Sequence, residues 1–269
     1  MEALRRIEDW PVPLAAAGIV TGDGRIEAHG VGDAVFALAS VSKPVTALAL
    51  LVAAEEGVVD LDEAAGPPGS TVRHLLAHAS GLPFEGAVPI ASPGARRVYS
   101  NEGFRVLGAH LARQAEMPFP EYVRAAIVAP LAIGLDPQGD PGSGMHATLG
   151  DLLALARELL EPTVVAAETL AELTTTQFPG LKGILPDYGR FDPLDWGLGV
   201  QLATPTPTWM GSRVSPRAFG HFGGAGTFLW VDPERRVACV ALTNRPFGEW
   251  AKAAWPELSD AVLEELEGG

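Results

Sequence analysis

The sequence predicts an α/β fold joined to an all-α part. An antiparallel sheet is built from both chain ends and flanked by helices, with a helical domain inserted between its halves. Three observations predict it. Short apolar stretches bounded by Gly, Asp and Pro lie near both termini of the 269 residues. The middle of the chain instead repeats apolar residues at helical spacing, with Pro or Gly between the runs. Apolar residues make up 47% of the chain and charged ones 19%, which suits a large buried core and excludes disorder or a coiled coil. The expected division is a sheet domain of residues 1–39 and 185–269 and a mainly helical domain of residues 40–184, with the site at their interface.

Each element has its own signal. Residues 15–20 and 25–30 flank Thr21-Gly22-Asp23-Gly24, and Asp-Gly allows the positive φ of a hairpin turn. Residues 35–38 form a short apolar stretch. Over 40–56, Val45, Leu48, Ala49 and Val52 recur at i, i+3, i+4 and i+7 until Gly57, which predicts a helix. A shorter helix is expected over 71–79, ended by Gly81, and further helices over 103–115, 120–129, 148–160 and 164–174. Thr148 and Asp151 stand at the spacing of a capping box, with Asp in place of the usual Glu or Gln. Residues 197–202 predict a strand, and 227–231 with 236–242 a hairpin about Asp232-Pro233-Glu234. Over 250–266, Leu258, Val262 and Leu266 share one face of a final helix.

Composition narrows the function. A net charge of −14 disfavours nucleic acid and anionic membranes as partners, because both require a basic surface. The chain has no run of 18 apolar residues to span a bilayer. Arg5-Arg6 followed by an apolar stretch imitates a leader peptide, but Glu8-Asp9, Pro11 and Pro13 interrupt it. Residues 14–20 therefore read as a strand and the protein as cytoplasmic. The single cysteine, Cys239, excludes an internal disulfide or a CxxC site and reads as a buried thiol. His74 and His78 have a zinc-compatible spacing, yet no Glu follows His74 and no third ligand is evident, so packing is the preferred reading. No metal or cofactor is expected, and no GxGxxG, Walker A or GxSxG motif occurs. Trp196, Trp209 and Trp230 could line a pocket, but core or interface is the preferred reading.

Of 19 basic residues 16 are Arg, so each of Lys43, Lys182 and Lys252 raises the question of why it is not Arg. Lys can release its proton where its surroundings lower its pKa, whereas Arg stays charged. Ser40 and Lys43 stand three apart at the start of a predicted helix, where free N–H groups favour developing negative charge. A serine beside such an amine is an activated nucleophile, and about 0.1 Ser-x-x-Lys pairs are expected here by chance. Tyr99-Ser100-Asn101 lies in a loop before the next helix. A phenol and an amide there can relay a proton and orient the lysine, although Asn101 reads equally well as a helix N-cap. His221-Phe222-Gly223 leads toward the strand at 227. Gly223 and Gly224 leave the backbone open to a substrate, and an N–H near Gly224 can pair with that of Ser40 to hold an oxyanion.

In this order the three motifs resemble those of the serine β-lactamase-like, or penicillin-binding-protein-like, superfamily of class C β-lactamases, DD-peptidases and esterases. Residues 74–83, Trp230-Val231-Asp232-Pro233 and Thr243-Asn244-Arg245 extend the similarity over most of the chain. The resemblance implies a β-lactamase/transpeptidase-like fold. It also implies a Ser40 acyl-enzyme, Lys43 and Tyr99 sharing the acid and base work, and Asn101 orienting Lys43 and substrate. His221, Gly223 and Gly224 would form the substrate and oxyanion side. Many members carry lysine where His221 stands, and histidine is usual among the esterase-like ones. A shorter spacing between motifs implies a more open cleft. Arg213 or Arg217 could supply a cation, though a surface role is preferred. The expected activity is that of an esterase-like serine hydrolase, with β-lactamase or D-amino-acid peptidase/DD-carboxypeptidase as the alternative and an inactive ligand-binding sensor or scaffold as the non-enzyme alternative. The expected partner is a small-molecule ester, amide or β-lactam.

Overall fold

Short runs of small and β-branched residues lie near both chain ends. In the computed structural model, which describes residues 1–205 and 208–268, those two segments lie side by side. Strand β1 (Ala15–Thr21) pairs antiparallel with β10 (Val237–Thr243), from Ala15↔Thr243 to Thr21↔Val237. On one side β2 (Ile26–Gly30) pairs with β1. On the other, β9 (Thr227–Asp232), β8 (Phe219–Gly223) and β7 (Gln201–Leu202) follow, giving the antiparallel order β2-β1-β10-β9-β8-β7. Two small ladders stand apart: β3 (Phe36–Ala37) with β4 (His146–Ala147), and β5 (Gly183–Leu185) with β6 (Gly189–Phe191).

Both faces of the large sheet are covered. Along β10, Ala238, Val240 and Leu242 enter one core while Val237, Cys239 and Ala241 enter the other. Each such Val or Leu contributes about 1.5–3 kcal/mol by leaving water. The first core lies under helices α1 (Ser42–Glu55), α2 (Val72–Leu76), α3 (Asn101–Gln114), α4 (Phe119–Val123), α6 (Leu149–Leu160) and α7 (Ala167–Leu173). A π turn over Arg124–Val128 joins α4 to the short α5 (Ala129–Leu131). The second core is closed by α8 (Glu249–Gly268) and the N-terminal 3-10 turn Ala3–Asp9. Cys239 is buried in it, as expected, and burial pushes its thiol pKa up. No helix among the described residues is long and apolar enough to cross a membrane.

The expected elements are present, with shifts that have physical causes. Thr148 and Asp151 form the capping box reciprocally, at 3.3 and 2.9 Å. The helix expected over 71–79 stops at Leu76, and His78 turns to a φ of 55°, so His74 and His78 do not share a helix face. The strand expected over 197–202 shrinks to its last two residues. The Leu198 and Gly199 N–H groups bond instead to the carbonyls of Leu173 and Leu76. His221-Phe222-Gly223 is itself part of strand β8 rather than a lead-in to one.

Candidate active site

Ser40 lies in a 3-10 turn, Ala39–Val41, that runs straight into α1. The sheet holds this turn in place. Thr227, at the head of β9, donates to the Leu38 carbonyl at 2.9 Å. Gly223, at the end of β8, packs so closely that a Cβ there would lie 2.3 Å from the same oxygen. Ala39 is left-handed, with a φ of 46°, which costs an alanine about 1 kcal/mol just before Ser40.

Lys43 is fully buried, and its Nζ lies 3.2 Å from Ser40 Oγ. It also lies 2.7 Å from Asn101 Oδ1 and 2.9 Å from the Gly142 carbonyl. Both of those oxygens can only accept. A neutral amine has two N–H bonds and one lone pair, so giving both hydrogens to Asn101 and Gly142 leaves the lone pair for the Ser40 O–H. Burial pushes the Lys43 pKa down to about 7; Arg105 adds to the fall, and Asp140 and Glu85 oppose it.

The helix that presents Asn101 is capped by its neighbour. The Ser100 Oγ accepts from the Gly103 N–H at 2.8 Å, so Ser100 and not Asn101 is the N-cap, and the Asn101 amide is free to reach Lys43. Asn101 Nδ2 donates to Glu85 at 3.3 Å. Arg105 binds Glu85 on one side and Asp140 on the other, at 2.6 Å for the latter. Asp140 in turn accepts from the Gly142 N–H at 2.8 Å. One guanidinium therefore ties together both acceptors of Lys43. Motif spacing does not point to Arg105, Asp140 or Gly142. Gly142 contributes only a carbonyl, and the ion pairs join residues 20 and 35 positions apart.

Tyr99 completes the cluster. Burial raises its pKa, with a hydrogen bond to Ser40 opposing, so the phenol stays protonated at neutral pH and acts as a donor. Its hydroxyl lies 3.4 Å from His221 Nε2. His221 Nδ1 is 2.7 Å from the Phe222 carbonyl, which fixes the proton on Nδ1 and leaves Nε2 bare toward Tyr99. Burial, with the Lys43 charge adding to it, pushes the His221 pKa down to about 3, so this imidazole is neutral. His78 is buried beneath, 4.5 Å from the Tyr99 ring, and its Nδ1 accepts from the Ser100 N–H at 3.2 Å. Trp196 packs against His78, Tyr99 and His221, so it fills the core under the site.

The structure thus brings Ser40, Lys43, Tyr99, Asn101 and His221 into one cluster. Gly223 abuts the Ser40 turn, and Gly224 is exposed beside it. Arg213 is spent on Glu267 at 2.6 Å, and Arg217 lies on the surface. His74 pairs with Thr71 at 2.8 Å.

The fold has counterparts among known proteins. A β-lactamase from Mycobacterium bovis is 49% identical and superposes with a TM-score of 0.96, over 98% of this chain and 99% of that one. EstCE1, described as a hydrolase with promiscuous acyltransferase activity, shares the fold at 19% identity and a TM-score of 0.78, over 97% of each chain. A protein of Salmonella enteritidis provisionally named D-alanyl-D-alanine carboxypeptidase is 25% identical over 201 residues, 57% of this chain and 46% of its own length. The match thus spans under half the length of that relative. The Beta-lactamase family model runs from residue 12 to residue 263, through sheet and helices alike, and the chain belongs to that family.

Proposed function

We propose that the protein is an esterase-like serine hydrolase that works through a Ser40 acyl-enzyme. The observation that carries this reading is the buried Lys43 amine, set between two obligate acceptors with its remaining valence toward Ser40. Lys43 takes the Ser40 proton as Oγ bonds to the substrate carbonyl carbon. The N–H groups of Ser40 and Gly224 hold the resulting oxyanion. The bond to the leaving oxygen or nitrogen breaks, and the proton returns to that atom through Lys43 and the Tyr99 hydroxyl. Water then adds to the acyl carbon, gives its proton by the same route, and releases the acid and free Ser40. A neutral His221 supplies no cation at the position where many members carry a lysine, which favours esters over β-lactams.

Intact mass spectrometry after exposure to short-chain esters and a serine-directed phosphonate tests the reading. The expected result is an adduct on the native chain that is absent in Ser40→Ala; no turnover and no adduct would sink it and leave a binding role. The 49% identical relative described as a β-lactamase motivates the second reading, β-lactam or D-amino-acid peptide hydrolysis. Nitrocefin turnover well above that of simple esters would reverse the order.

A further inference from the structure

Tyr99 also lines a cavity of about 920 Å3, the size of a site for a small organic molecule. One wall is the segment that leads into Tyr99, and the other is the β5–β6 hairpin. Arg97 clips the two together. Its N–H donates to the Lys182 carbonyl at 2.9 Å, and its guanidinium donates to the carbonyls of Leu194 and Ala77 at 3.1 and 2.7 Å. Phe84, Val98 and Ile184 supply apolar lining, and Phe84 and Ile184 are 51% and 56% exposed. Among the described residues no segment covers that apolar surface.

The charges around this cavity reverse those of the whole molecule. Arg96, Lys182 and Arg190 line it and are exposed, and among the described residues Asp192 is its only acidic lining residue. None of the three cations has an ion-pair partner among the described residues; Arg96 donates only to the Ile90 carbonyl, at 3.1 Å. Arg73, Arg105 and Arg213, by contrast, are each paired with a carboxylate. A chain of net charge −14 repels anions at long range, so three unpaired cations at one opening create a local field that holds them.

We propose that this cavity receives the anionic part of the substrate, so that the preferred substrates are amphiphilic esters carrying a carboxylate on an apolar body. The inference rests on the serine hydrolase reading and adds a subsite to it. The carboxylate is held on the wall formed by Arg96, Lys182 and Arg190, which Tyr99 adjoins.

Two matched ester pairs test this. The p-nitrophenyl monoester of glutaric acid against p-nitrophenyl valerate places the charge on the acyl side. The second pair, 3-carboxyphenyl acetate against 3-carbamoylphenyl acetate, places it on the leaving side. At low salt, kcat/KM is expected to favour the charged member of at least one pair about tenfold. The ratio should fall toward one in about 0.5 M salt. It should fall likewise in the triple variant Arg96→Gln/Lys182→Gln/Arg190→Gln, with folding checked by circular dichroism, and rise in Asp192→Asn. Equal rates within both pairs, or a preference that survives the triple variant, would overturn the subsite while leaving the hydrolase reading intact. If neither pair is turned over and the phosphonate leaves Ser40 unlabelled, the hydrolase reading fails and the subsite with it.

Discussion

Arg97 and Lys43 are both buried, and neither touches a carboxylate. Arg97 donates to the carbonyls of Ala77, Gln177, Phe178 and Leu194, while Lys43 reaches Ser40, Asn101 and Gly142. Burial is the main cause that lowers both pKa values, Arg97 to about 10 and Lys43 to about 7. At neutral pH the first remains a fixed cation that stitches loops together. The second stands where its proton can leave. Similar surroundings therefore yield a fastener in one case and, in the proposed mechanism, a base in the other, because the two side chains start from different basicities.

The sharpest way to break this comparison is to exchange the residue types. Lys43→Arg is expected to lower kcat about 10³- to 10⁴-fold on any ester the native protein cleaves, since Arg cannot accept the Ser40 proton. Near-normal turnover would refute the assignment of the base. Arg97→Leu should cost about 3 kcal/mol or more of stability, read as a fall in the denaturant midpoint, because several buried carbonyls lose their donor. Arg97→Lys should recover only part of that, since one ammonium cannot span four carbonyls.

A finer test uses pH. In the proposed mechanism Lys43 acts as the neutral amine, so kcat/KM should rise with pH through about 7. The Arg105 charge disfavours protonated Lys43, so Arg105→Gln should move that limb to higher pH, by about half to one unit. Asp140 favours it, so Asp140→Asn should move the limb to lower pH while keeping an acceptor for the Gly142 N–H. Shifts in the same direction would contradict the electrostatic account. Smallest of all, Thr148→Ala should cost about 1 kcal/mol of stability through its lost cap and leave the pH profile in place.

What the sequence discloses follows from how local each interaction is. Ser40 with Lys43, and Tyr99 with Asn101, are short motifs of scarce residue types, and the Thr148 cap is a three-residue pattern, so all were legible. The pairing of β1 with β10 was legible only as two sets of strands at opposite ends, since register depends on packing. Strand β8 was not. Phe219-Gly220-His221-Phe222-Gly223 has two glycines and becomes a strand through its ladder to β9. Nor was the support of Lys43 by Gly142, because a carbonyl acceptor leaves no trace in residue type. The neutrality of His221 likewise depends on the Phe222 carbonyl and on burial, neither of which has a composition signal.

The β5–β6 hairpin lies outside the large sheet and is bridged to the rest of the fold through Gly183 and Arg97. Leu185 and Tyr188 root it in the second core, while Ile184 and Arg190 turn outward. The hydrogen bonds that hold Ser40, Lys43 and Asn101 come from other elements. Its outward positions can therefore change with little disturbance to the chemistry, provided the two roots are kept. This makes the hairpin a separable module for engineering, where grafted sequences would retune which molecules enter without rebuilding the reaction centre.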